Sequence, residues 1–244
     1  MRRRSLQRGV RAVVALGVVA AALGLATQAW DELHAEVVFL SSSQALKQGD
    51  AAAARDAAQR ALAMHPRDYA YLERAALIED GMQRPQHARQ LWLAALAQRP
   101  GSPYPWARLA QWQLDHGDVR APLLERSIAQ VRRLGEHERG LWKLFAAESL
   151  QHWNQDLPPP VRATLKQWLL QESAARQQAL GRYALANRQE TVLCGVWEEK
   201  DGPQPWCDQM RQIRQSCDGG GPLNPMQRQW CARVEALPTQ YPPG

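Results

Sequence analysis

Pro66 and Pro100 stand 34 residues apart, and each closes a stretch with helical apolar spacing, "MHPRD" ending one and "QRPGS" the next. Gly49-Asp50 and Gly117-Asp118 are separated by 68 residues, two such periods. A recurrence of this length points to stacked supersecondary units, each unable to bury its apolar face alone. No stretch alternates apolar and polar residues with period two, so the chain reads as all-α. Each period then holds two antiparallel helices. A glycine that takes the left-handed conformation ends the first helix, and an aspartate after it can cap the second. The late proline stops that helix from continuing into the next unit.

With Pro66 and Pro100 in register, other landmarks follow. "PWARLAQWQLDHGD" carries Trp106, Leu109, Ala110 and Gly117. "HARQLWLAALAQRP" carries Ala88, Trp92, Ala95 and Leu96. "GDAAAARDAAQRALAMHP" carries Gly49, Ala54, Ala61, Leu62 and Pro66. Small residues let paired helices approach, and the large apolar ones pack into the partner. This pattern resembles the tetratricopeptide repeat family, with three units at 35–68, 69–102 and 103–136. Two departures stand out. Pro122 replaces the expected alanine in unit three, and Gly81 falls two residues ahead of register in unit two.

The N-terminus sets the compartment. Arg2, Arg3, Arg4, Arg8 and Arg11 precede any acid, and no charge occurs from Ala12 to Ala29. About 20 apolar residues span a bilayer as a helix, and arginines ahead of a span hold that end in the cytoplasm. The reading is a cytoplasmic basic segment at 1–11, a transmembrane anchor at 12–30 with Trp30 at the interface, and an exported body. A cleaved signal peptide, with small residues at Ala26 and Ala29, is the rival reading. Both put the body in the bacterial periplasm, with the anchored form single-pass in the inner membrane. The chain is +6 overall. The five leading arginines account for most of that and leave +1 for the rest, which argues against a nucleic-acid surface. Arginine far outnumbers lysine, which with abundant alanine suggests a GC-rich bacterial genome.

An oxidising compartment makes disulfides the expected state of cysteine. Cys194, Cys207, Cys217 and Cys231 all lie in the last 51 residues, and no C-x2-C spacing suggests zinc or a redox motif. Three pairings are possible. Cys194–Cys207 and Cys217–Cys231 each close a loop containing turn residues, "DGPQP" and "DGGGPLNP", and are favoured on that ground. Leu141, Trp142, Leu144, Phe145, Leu150 and Trp153 share a helical face, and Leu165, Trp168, Leu169 and Leu180 share another after Pro160. They give a continuing helical pair at 137–187. A cysteine-stapled helical cap follows at 188–235, with one helix beginning near Pro205 and another capped by Asn224 ahead of Pro225. A flexible tail occupies 236–244.

No enzymatic signature emerges. No histidine pair has H-E-x-x-H spacing, no phosphate loop follows a strand, and no G-x-S-x-G occurs. The expectation is a non-enzyme with no metal and no cofactor. Glu172-Ser173 shares its dipeptide with soluble lytic transglycosylases, but the glycine-rich segment that should follow is absent. Glu172, like Glu198-Glu199, reads instead as exposed charge on a helix. Most of the ten tryptophans read as core. Trp197 and Trp206, flanking "EEKDGPQP", are the candidates for an exposed stacking surface.

The repeat resemblance implies a concave groove lined by the first helix of each unit, here Phe39, Glu73, Leu77, Asp80, Tyr104, Gln111 and Leu114. Such a groove implies a protein partner in the periplasm or inner membrane. The layout of anchor, alanine- and tryptophan-rich repeats and cysteine-bearing end resembles the VpsP-type polysaccharide biosynthesis proteins. That implies an accessory scaffold for exopolysaccharide synthesis or export rather than a glycosyl transferase. The alternative is a chaperone-like factor in envelope protein or cytochrome c maturation.

Overall fold

The computed structural model describes residues 2–219 and 223–236, with side chains described for 17–172, 177–219, 223–229 and 231–236. Every regular element among them is a helix: α1 (Arg2–Lys47), α2 (Ala51–Met64), α3 (Tyr69–Gly81), α4 (Pro85–Gln98), α5 (Pro103–Asp115), α6 (Pro122–Leu134), α7 (Arg139–His152), α8 (Pro159–Ala186), α9 (Glu190–Asp201), α10 (Pro205–Asp218) and α11 (Pro225–Glu235). The all-α expectation is met. The expected tail lies outside the described residues, apart from Ala236. The chain divides into two compact units, 1–99 and 100–244.

In the first unit α1 pairs with α2, α2 packs on α3, and α3 pairs with α4. The local signals are legible. Asp50 caps α2 by accepting from the Ala53 amide at 2.9 Å. Asp68 caps α3 in the same way, from the Tyr71 amide at 3.1 Å. Ala54, Ala61, Ala76, Ala88 and Ala95 are fully buried where the helices meet. An alanine there leaves room for close backbone approach, and a larger side chain would overpack the contact.

The helix turns repeat with the sequence period. Gly49 has φ 78° and Gly117 has φ 68°. Midway between them stands Gln83, with φ 59°. Each of these residues donates its amide three residues back, to Leu46, Asp80 and Leu114, and each following amide reaches five back, to Ala45, Glu79 and Gln113. This pairing satisfies the carbonyls orphaned at a helix end. The turn missing from unit two in sequence is therefore present, built on Gln83 instead of Gly81. Arg188, φ 57°, makes a fourth such turn after α8. The aspartate rule holds only in part: Asp118 caps nothing, because α6 starts at Pro122 with Ala121 before it.

In the second unit α5 pairs with α6 and α7 with α8, while α5 also meets α7 and α6 meets α8. Phe145, Leu150, Leu165 and Leu169 are fully buried there, and the Phe145 and Trp168 rings stack at 4.4 Å. α9 packs on α8, and α10 on α9 and α8. Two disulfides staple this end: Cys194–Cys207, with Cα atoms 5.6 Å apart, and Cys217–Cys231, at 5.4 Å. The favoured pairing is the observed one. α11 opens as expected, with Asn224 accepting from the Gln227 amide and Gln227 returning the bond to the Asn224 amide. That reciprocal cap satisfies two orphan donors.

α1 differs from the other helices. Val18, Val19, Leu23, Leu25, Trp30 and Leu33 are exposed along it, and packing begins only at the buried Ala35. Among the described residues no helix is long and apolar enough to cross a membrane. The side chains of 12–16, which complete the uncharged stretch, lie outside those described.

Candidate functional site

The residues expected in a groove divide between the two units. In the first, Phe39 is half-buried, with its ring centroid 4.7 Å from that of Tyr71 and Arg74 stacked over it at 5.5 Å. Glu73 and Asp80 are partly buried and Leu77 is exposed. In the second, Tyr104 is exposed and donates its hydroxyl to Glu138 at 3.0 Å. The hydrogen bond to the Glu138 carboxylate, with a smaller contribution from partial desolvation, raises the Tyr104 pKa. Leu114 corrects the expectation. It is fully buried on the interior side of α5 and offers no surface to a partner. Outside α1, the large hydrophobic residues left exposed among the described ones are Leu77, Tyr104 and Met226. Two of these three belong to the expected groove set.

Gln111 is the other departure. It binds a polar cluster rather than standing free. Its Nε2 donates to Glu148 Oε1 at 2.9 Å, and its Oε1 accepts from Arg108 at 3.1 Å. Glu148 Oε2 lies 3.2 Å from His152 Nε2. That same nitrogen is 3.1 Å from Asp115 Oδ1. Gln155 Nε2 sits 2.9 Å from His152 Nδ1. Glu148 and His152 are four apart on α7 and so share a face. Asp115 ends α5, and only the packing of α5 on α7 brings it to them. Sequence reading passed over this cluster. The i,i+4 pair of Glu148 and His152 was the available signal, and nothing local pointed to Asp115.

The electrostatics of the cluster follow from its burial. Desolvation would lower the His152 imidazolium, but hydrogen bonding to Asp115 and Glu148, with their charges, outweighs it and raises the pKa to about 9. Desolvation raises Glu148, only partly opposed by His152. A second buried acid, Glu79, lies in the first unit. Arg55 Nε meets its Oε1 at 2.6 Å, with Arg84 and His87 at 3.7 and 3.6 Å from Oε2. Burial alone would raise Glu79, but the Arg55 hydrogen bond and these cations bring it below the usual carboxylate value.

Trp197 does not offer the expected stacking surface. Trp197 is buried and Trp206 half-buried, and their rings pack edge to face at 3.9 Å. They join Leu180, Tyr183, Leu193, Cys194, Cys207 and Met210 in one apolar core, so the cap is continuous with α7 and α8. Glu172 is likewise buried rather than on a solvated face. Glu198 is partly buried and pairs with Arg211 at 2.7 Å, whereas Glu199 is exposed and pairs with Lys166. A surface groove of about 660 Å³ opens beside α6, α7 and α8, lined by Ile128, Arg132, Trp142, Val161, Thr164 and Trp168. No family model and no curated protein matches the chain.

Proposed function

We propose that this protein is a membrane-anchored periplasmic adaptor of tetratricopeptide type, which holds a segment of a partner protein in support of surface-polysaccharide synthesis or export. The observation that carries the reading is the exposure of Leu77 and Tyr104 on α3 and α5. Apolar residues at such positions serve a repeat protein by gripping another chain's segment. The left-handed turns at positions 49, 83 and 117, one period apart, support the repeat assignment. The exposed apolar flank of α1 supports the anchor, since a solvated helix gains nothing from Val18, Val19, Leu23 and Leu25 on its surface. The polysaccharide pathway rests on the resemblance in layout.

The test is crosslinking in cells from a photoreactive residue at Tyr104, with a second at Leu77, followed by mass spectrometry. Capture of a polysaccharide polymerase, ligase or export component supports the proposal. Capture of many unrelated unfolded envelope proteins replaces it with a chaperone role. Membrane fractionation tests the anchor: the full chain should resist alkaline extraction, and a chain starting at Asp31 should be released.

A further inference from the structure

Three donor atoms converge between α5 and α7. Asp115 Oδ1 and Glu148 Oε2 lie 3.1 and 3.2 Å from His152 Nε2. One ligand atom from each of the three residues falls within 4.8 Å of the others. A tetrahedral zinc ion has bonds of about 2.0–2.2 Å to imidazole and carboxylate, which sets neighbouring ligand atoms roughly 3.3 Å apart. The two measured separations are close to that value.

The imidazole of His152 is shared between the two carboxylates, and the sharing is uneven. A single Nε2–H cannot serve two carboxylates, and the one it reaches is Asp115. Glu148 Oε2 is buried with no well-directed hydrogen bond of its own and keeps only its ion pair with the His152 ring at 3.2 Å. The Glu148 side chain is only 6% exposed, and Gln111 fixes its other oxygen, so Oε2 stays aimed into the cluster. A buried carboxylate oxygen in that state is costly. Gln155 repeats the theme: its Oε1 is buried and has no hydrogen-bond partner either. A half-turn of that amide, at the expense of its bond to the Leu114 carbonyl, would let Oε1 accept a hydrogen bond from His152 Nδ1–H. A histidine bound to a metal through one nitrogen commonly donates from the other in this way.

We propose that Asp115, Glu148 and His152 bind a divalent transition-metal ion of the zinc class, with Gln155 and Gln111 orienting His152 and Glu148. One imidazole with two carboxylates suits such an ion better than calcium or magnesium, which favour all-oxygen sites. Asp115 is 43% exposed, so it gives the ion an entry path and leaves room for a water as fourth ligand. His152 carries a proton in competition with the ion.

The experiment uses the full chain in detergent, stripped with a chelator and titrated with Zn²⁺ by calorimetry, with Mg²⁺ and Ca²⁺ in parallel. One Zn²⁺ should bind per chain and raise the melting temperature, and chelator should reverse the rise. Glu148→Gln should abolish binding. Asp115→Asn, at a half-exposed position, should keep the wild-type circular dichroism and weaken binding about tenfold or more, as should Gln155→Leu. Absence of Zn²⁺ binding by the folded wild type overturns the proposal. So does unchanged affinity in both Asp115→Asn and Glu148→Gln, which would place the ion elsewhere. Equal binding of Mg²⁺ or Ca²⁺ overturns the zinc-class assignment.

Discussion

Gln83 adopts the left-handed backbone of Gly49, 34 residues earlier, with φ 59° against 78°, and makes the same pair of reverse amide bonds. A side chain with a Cβ pays steric strain there that glycine avoids. Gln83→Gly should therefore stabilise the first unit by about 0.5–1 kcal/mol. Gly117→Ala should destabilise the second by about 1 kcal/mol. Nothing lies within 4 Å of a Cβ at Gly117, so the cost is conformational alone. Denaturant unfolding of each variant reads both signs. A destabilised Gln83→Gly would mean that the glutamine side chain contributes more than its backbone strain costs.

The charge state of Glu79 gives a pH dependence with a definite direction. Its folded pKa lies below the ordinary glutamate value, so the unfolded chain binds the proton more readily. Glu79 therefore adds stability at neutral pH, and that contribution is lost as pH falls below about 4.5. Glu79→Gln should cost about 2 kcal/mol at pH 7 and flatten the acid limb of the stability curve. Chemical denaturation across pH 3–7 checks it. An acid limb of wild-type steepness in the variant would assign the effect to other carboxylates.

The two disulfides should differ in reactivity. Cys194 and Cys207 are both fully buried, whereas Cys217 is only partly buried. Exchange needs a thiolate to reach a sulfur. Limited reduction should thus open Cys217–Cys231 first, which mass spectrometry after alkylation would map. Replacing Cys194 and Cys207 together by alanine should cost about 3 kcal/mol, the loop-closure contribution for a sequence separation of 13.

Trp197 lies in the core that joins the cap to α8. Trp197→Ala should destabilise the second unit by about 3–5 kcal/mol, as truncation of a buried tryptophan does. Adding oligosaccharide should leave the intrinsic fluorescence of the wild type unchanged at this pair. A saccharide-dependent shift that disappears in Trp197→Ala would return the pair to a binding role.

The sequence alone determined several helix limits and the turns at Gly49 and Gly117, but not those at Gln83 and Arg188. Asp50, Asn224, Gly49, Gly117 and the prolines act through hydrogen bonds and torsions reaching no more than five residues along the chain. Such signals survive without knowledge of the fold. The disulfide pairing was also within reach, since each bridge spans a short loop with its own turn residues.

Tertiary structure decided which faces those helices bury. Leu114 has the composition of a groove residue and lies in the interior. Trp197 looked exposed beside a polar loop, yet packs on Trp206 and α8. Glu172 looked solvated and is buried. Asp115 meets Glu148 and His152 only because α5 lies against α7. Burial and convergence depend on which helix comes to rest on which, an outcome of packing between segments far apart in the chain. Helical periodicity gives the apolar stripe but not its partner, and that choice is made by the close packing of the whole core.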